Sequence, residues 1–280
     1  MSRRKPKPEI AISDHELLAL TKSMDDLHHD QSLPALKQAV DEWQESLAEE
    51  GASRRGTSRR NFLLGAGGLM ATGGLLAACG TSVAKKPTRS SAVHGGGTTS
   101  GGSKLSSGDA RNLAVDTSIE NLAIFAYTQG IAAAKAGHLG KVPPAVPVFA
   151  ETALSQHKAH AAAFNSVLTA AGLKAVSVPD PVLTPKVKQA FAKVTDVTGL
   201  AELALLLENV AAQSYQDDVA SLSSKHARAT TASIQPVEMT HAAVLYFVLG
   251  KYPGIQTSSG TPLAFNPLQL NRPSSDMTTT

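Results

Sequence analysis

Ile119-Glu120-Asn121-Leu122-Ala123-Ile124-Phe125-Ala126-Tyr127 and Leu207-Glu208-Asn209-Val210-Ala211-Ala212-Gln213-Ser214-Tyr215 align without a gap. Both read apolar, Glu, Asn, apolar, Ala, three variable residues, Tyr. An internal repeat of this kind exposes architecture. In each copy Glu and Tyr stand seven residues apart, two helical turns, and so share one face of a helix. Glu120 is set among Leu113, Ile119, Leu122, Ile124 and Phe125, and Glu208 follows Leu205-Leu206-Leu207. A carboxylate turned into such a face needs a counter-charge, because an unpaired buried charge is very costly.

Around the repeat, residues 109–250 read almost entirely as helix. Asp109 caps a first helix that runs to Ala136 and is stopped by Gly137. Pro143, Pro144 and Pro147 start a second, which ends at Gly172. A longer connection with Pro179, Pro181 and Pro185 carries a short helix over 186–194. A third helix covers 199–222 and a fourth 225–249, the latter kinked or split at Pro236, because proline removes a helical hydrogen bond. The expected fold is an all-α four-helix bundle: two antiparallel helix pairs joined by a long crossover.

The second helix of each pair supplies the complement to the repeated glutamates. Helix 2 carries His157-Lys158-Ala159-His160 and helix 4 carries Glu238-Met239-Thr240-His241. A spacing of three puts both side chains on one face. Glu-x-x-His opposite an inward Glu is how four-helix bundles build two-metal carboxylate sites. Any one of these residues taken singly is at home as a solvated side chain, and the tyrosines as core aromatics bonded to the glutamates. Their joint occurrence at matched places in a duplicated helix pair points to a metal.

With these residues in place the chain resembles the ferritin-like superfamily, specifically its exported members with a twin-arginine signal. The resemblance covers 109–250. It implies terminal ligands in Glu120 and Glu208, a bridging ligand in Glu238, one nitrogen ligand for each metal in His160 and His241, and a supporting layer in Tyr127 and Tyr215. It implies iron or manganese, with zinc as a further candidate, and one or two ions. The departure is His157, where the pattern wants glutamate. Three carboxylates instead of four weaken a paired site, so an oxidase- or peroxidase-type reaction stays open while metal binding is expected.

The composition of the 280 residues, 42% hydrophobic, 18% charged and 4% aromatic, argues against a β-sandwich or barrel. A single cysteine excludes a disulfide framework and any multi-cysteine metal cluster. A net charge of +3 with no basic stripe gives no sign of a nucleic-acid partner. Residues 58–79 open with Arg59-Arg60-Asn61-Phe62-Leu63 and resemble a twin-arginine export signal. They end in Leu76-Ala77-Ala78-Cys79, which looks like a lipoprotein box; that likeness implies lipidation of Cys79. The partners so implied are the export machinery and the membrane; the expected place is the outer face of a bacterial cytoplasmic membrane, and a homodimer is allowed.

The remaining segments carry less. Residues 80–108 are a Gly/Ser/Thr-rich tether and 251–280 a loop-like tail. Residues 1–57 read as partly helical, either a hairpin bound by a partner or a stretch of little meaning. His28, His29, His138, His226 and the pair Asp217-Asp218 are expected to face solvent. Two functions compete: an exported, membrane-anchored ferritin-like protein that handles iron or peroxide, and a metal-free helical module making protein contacts in the envelope. A two-lobed solute-binding protein ranks last, for want of alternating strands.

Overall fold

Four long helices form where the apolar periodicity places them. The computed structural model describes the backbone of residues 10–66 and 105–251, and the side chains of 10–49 and 105–251. Every regular element among the described residues is helical. In chain order they are α1 (Asp14–Leu27), a π-helical turn (His28–Ser32), α2 (Leu33–Ala66), α3 (Ser107–Lys135), α4 (Ala145–Ala170), α5 (Leu183–Phe191), α6 (Val197–Ser221) and α7 (Lys225–Val248). The bundle is α3, α4, α6 and α7. Helix α3 packs chiefly on α4 and α6 on α7, and the two pairs meet through α3 with α6 and α4 with α7. No helix among the described residues is long and apolar enough to cross a membrane.

Local chemistry sets the ends. Gly137 and Gly172, at φ 76° and 82°, take the left-handed conformation that closes α3 and α4. Ser106, not Asp109, caps α3 by accepting from the Asp109 N–H. The Asp109 carboxylate instead receives the backbone N–H groups of Ser223 and Ser224, at 3.0 and 2.8 Å, tying the start of α3 to the turn between α6 and α7. Helix α7 is neither split nor ended at Pro236. Pro236 and Ala232, whose carbonyl loses its donor, both lie on the exposed side, where the oxygen is open to solvent. The crossover after α4 is pinned by the repeat itself: Asn121 donates to the Val176 carbonyl at 3.1 Å, and Asn165 both donates to and accepts from Val176.

The larger correction concerns the N-terminal stretch. The described residues 10–47 belong to the same compact unit as residues 105–251, so the hairpin packs on the chain's own bundle. Ile10, Leu17 and Met24 share a core with Tyr127, Phe149 and Leu245. Leu36 and Trp43 share another with Phe164, Val167 and Tyr215. Trp43 is buried, donates its indole N–H to the Val167 carbonyl at 3.3 Å, and lies against the His226 ring at 5.2 Å. That contact buries His226, which the sequence placed in solvent. Asp14 accepts from the Ala145 N–H at 3.0 Å and so satisfies a first-turn donor of α4, which has no side-chain cap of its own.

The described residues 48–66, all helical, fall in a separate unit. Arg59 and Arg60 fall in that helix, with side chains outside the described residues; Cys79, residues 80–104 and the tail from 252 also lie outside them.

Candidate metal centre

Each of the four bundle helices delivers side chains to one interior point. Helix α3 brings Glu120, α4 brings His157 and His160, α6 brings Glu208, and α7 brings Glu238 and His241, all buried. They form two overlapping groups, Glu120, His157, His160, Glu238 and His157, Glu208, Glu238, His241, with the contributing atoms of each group within 4.8 Å of one another. His157 and Glu238 belong to both groups. The residue that departs from the expected pattern thus occupies the shared, central position opposite Glu238, and is buried.

The distances are those of a tight ionic cluster. His157 Nδ1 lies 2.8 Å from Glu120 Oε2, and its Nε2 lies 3.3 Å from Glu208 Oε1. His160 Nδ1 lies 2.8 Å from Glu238 Oε1 and 3.6 Å from Glu120 Oε1. His241 Nδ1 is 3.2 Å from Glu208 Oε2, and its Nε2 is 2.7 Å from Gln156 Oε1. The tyrosines cross over: Tyr215 on α6 donates to Glu120 on α3 at 2.7 Å, and Tyr127 on α3 donates to Glu208 on α6.

Burial acts against every charge here, and mutual attraction overrides it. Burial pushes Glu120 up, yet the His160 and His157 rings hold it down at about 2. Glu208 is likewise lifted by burial and brought well below the carboxylate range by His157 and His241. Burial depresses the three imidazoles, but Glu238 and Glu208 raise His157 well above its ordinary value, Glu120 and Glu238 raise His160, and Glu208 raises His241 to about 9. Burial and the neighbouring carboxylates push both tyrosines well above their ordinary range, so they remain neutral donors.

The donor set fits a divalent cation. Both Glu238 oxygens and both His160 nitrogens are buried without a hydrogen bond of acceptable geometry, although Nδ1 and Oε1 stand 2.8 Å apart. Groups aimed past one another at a common point are placed as ligands are, and mixed carboxylate and imidazole sites suit iron, manganese and zinc. Protonated, the three imidazoles cancel three carboxylates. With neutral imidazoles, one divalent ion leaves a net charge of −1 and two leave +1.

Several residues around the centre were not legible in the sequence. Gln156 links His241 to Asp25 of α1, donating to its carboxylate at 3.0 Å. His28 is buried, not solvated, with its ring 5.3 Å from that of His160; burial, then the nearby imidazoles, hold it down at about 4. Asp116, one turn before Glu120, is buried and pushed well above the carboxylate range by burial, then by Asp218 and Glu120. Asp218 is itself buried and accepts from Asn112, whereas His138 is exposed as expected. Beside Tyr127 lies an apolar cavity of about 50 Å³, walled by Ala126, Phe149, Leu207 and Leu245.

Neither the curated proteins nor the solved structures contain a match to this chain. The ferritin-like domain matches residues 108–251, the span of the bundle and of all six converging side chains. By that match the chain belongs to the ferritin-like domain family.

Proposed function

We propose that the bundle is a metal-binding protein that holds one or two iron or manganese ions, with zinc as the competing occupant. The observation that carries the reading is the convergence of three carboxylates and three imidazoles, one or two from each helix, with Glu238 and His160 left without hydrogen bonds. Glu120 with His160 and Glu208 with His241 would hold the two positions, and Glu238 would be shared between them. Bound iron or manganese would supply redox chemistry toward dioxygen or peroxide. The chain's own part is to fix donors: Tyr215 and Tyr127 orient the outer glutamates, Gln156 orients His241, and the apolar wall beside Tyr127 keeps water away.

Elemental analysis of the purified full chain tests this. Iron, manganese or zinc in stoichiometric amount is expected, lost in Glu208→Ala and His241→Ala variants that keep their helicity. Failure to bind any of the three at micromolar concentration sinks the reading. The metal-free alternative, a helical contact module, predicts a melting temperature indifferent to chelator, whereas a metal-holding native state loses stability when the ion is removed.

Export and anchoring belong to the same proposal and rest on the Arg59-Arg60 pair and Cys79. The export route implied by the paired arginines carries folded proteins, which agrees with a centre assembled before transport. Incorporation of labelled fatty acid that disappears in Cys79→Ala, with the protein in the membrane fraction, is the expected result; a chain that stays unlabelled and unanchored removes the anchor.

A further inference from the structure

His28 lies outside the bundle in sequence and inside it in space. It opens the π-helical turn His28–Ser32, is 3% exposed, and has no hydrogen-bond partner on either ring nitrogen. Burying an imidazole with its N–H and its lone pair both unmet is costly, and native proteins that keep such a group do so for a reason. π-Turns recur at functional sites. Asp25 precedes His28 by three residues and His29 by four, so one carboxylate stands on the side of both rings although adjacent residues on a helix point apart; it lies 3.6 Å from the His29 ring nitrogen. One atom from each of Asp25, His28 and His29 lies within 4.8 Å of the others, and the two rings are set nearly perpendicular, centroids 5.6 Å apart.

This trio bridges water and interior. The side chains of His29 and Asp25 are 62% and 44% exposed, while His28 is enclosed. Two contacts run inward from it. The His28 ring meets His160, and the Asp25 carboxylate accepts from Gln156, whose other amide atom meets His241. Both inner histidines belong to the buried cluster.

We propose that Asp25, His28 and His29 form a second, outer site for a divalent transition-metal ion, from which ions load the buried centre. Only the loading role rests on the metal-holding reading of that centre; the outer site stands on its own three residues. Two imidazoles and a carboxylate are the donors that zinc, iron and manganese accept, and the open side lets an ion shed its water stepwise. All three residues precede the stretch matched by the ferritin-like domain, so the site is a feature of this chain's own N-terminal hairpin.

Zinc titration of the full-length protein by calorimetry decides it, using wild type, His28→Ala/His29→Ala, Asp25→Asn and Glu208→Gln/His241→Ala. The histidine pair variant is expected to lose one zinc equivalent. Asp25→Asn, which leaves the buried ring in place, is expected to weaken that equivalent about tenfold or more. The Glu208/His241 variant is expected to keep it. Unchanged stoichiometry and affinity in both outer variants overturn the outer site. If instead the Glu208/His241 variant binds as much zinc as wild type while the histidine pair variant loses one equivalent, the outer site stands and the buried centre falls. For loading, the cobalt absorption of the buried centre is expected to develop more slowly in Asp25→Asn with the same final amplitude; an unchanged rate overturns the loading role.

Discussion

The hydroxyl of Tyr215 on α6 donates to Glu120 on α3 at 2.7 Å, and its counterpart Tyr127 on α3 serves Glu208 on α6 in return. The duplicated helix pairs therefore support each other's glutamate across the bundle. Removing one hydroxyl leaves a buried carboxylate oxygen short of a donor, a loss of about 1–3 kcal/mol. Tyr215→Phe is expected to lower the stability of the chelated protein by that amount in urea unfolding, with helicity retained. No change would mean that the bond contributes nothing.

His157→Glu places a fourth carboxylate at the position shared by both halves. With two divalent ions and neutral imidazoles the cluster then sums to zero, where the natural set leaves +1. The metal-free variant meets the opposite balance, a fourth buried negative charge against two imidazoles. Its melting temperature is expected to fall below wild type in chelator and to rise above it with saturating manganese. Two curves that shift together would place residue 157 away from the ions.

Stability without metal is expected to decline on both sides of a mildly acidic optimum. The raised imidazoles stabilise fully below about 6.5, their unfolded value, and His241 loses that contribution as pH climbs through about 9. The lowered Glu120 stabilises fully above about 4.5 and loses its contribution as pH falls through about 2. The cluster's own contribution should thus be largest between about 4.5 and 6.5 and fall by a few kcal/mol by pH 9. His28, held at about 4, subtracts stability as pH drops below about 6.5, so the chelated protein is expected to be most stable near the upper end of that window. Metal affinity runs the other way, since imidazoles must shed protons to bind, so added metal should raise the melting temperature more at pH 8 than at pH 6. Thermal scans with and without manganese across this range check both slopes.

Trp43 is the sole tryptophan, and it is buried against Val167 and His226. Its fluorescence reports whether the N-terminal hairpin is docked. Trp43→Ala should cost about 3–5 kcal/mol. Wild-type emission should be blue-shifted in the native protein and move to the red as the bundle unfolds, in one transition with the loss of helicity. Emission already red-shifted in the native protein would mean that the hairpin does not dock.

The bundle and its six converging residues were readable because their signals are local. Apolar periodicity, glycine stops and a spacing of three residues all act within a helix, and the repeat doubled each of them. What the sequence does not show depends on contacts distant along the chain. His28 and His226 resemble any polar helical residue until the hairpin closes over α4 and α7, and the link from Asp25 to Gln156 spans 131 positions. His157 stands out in the sequence as a break in the pattern, but its place at the meeting point of both halves is set by how the four helices pack. Proline's usual effect on hydrogen bonding predicts a break at Pro236, but that effect matters less on a helix face turned to water.

Residues 10–47 are folded against the body, yet in the linear chain they come before Arg59-Arg60 and Cys79. A peptidase cutting ahead of Cys79 would leave two polypeptides clasped by apolar surface and a few hydrogen bonds, a nicked protein rather than a trimmed one. The smaller fragment would still carry Asp25, His28, Leu17 and Trp43, and would run with the larger on a native gel while separating in detergent. Maturation would then turn a covalent flap into a detachable subunit.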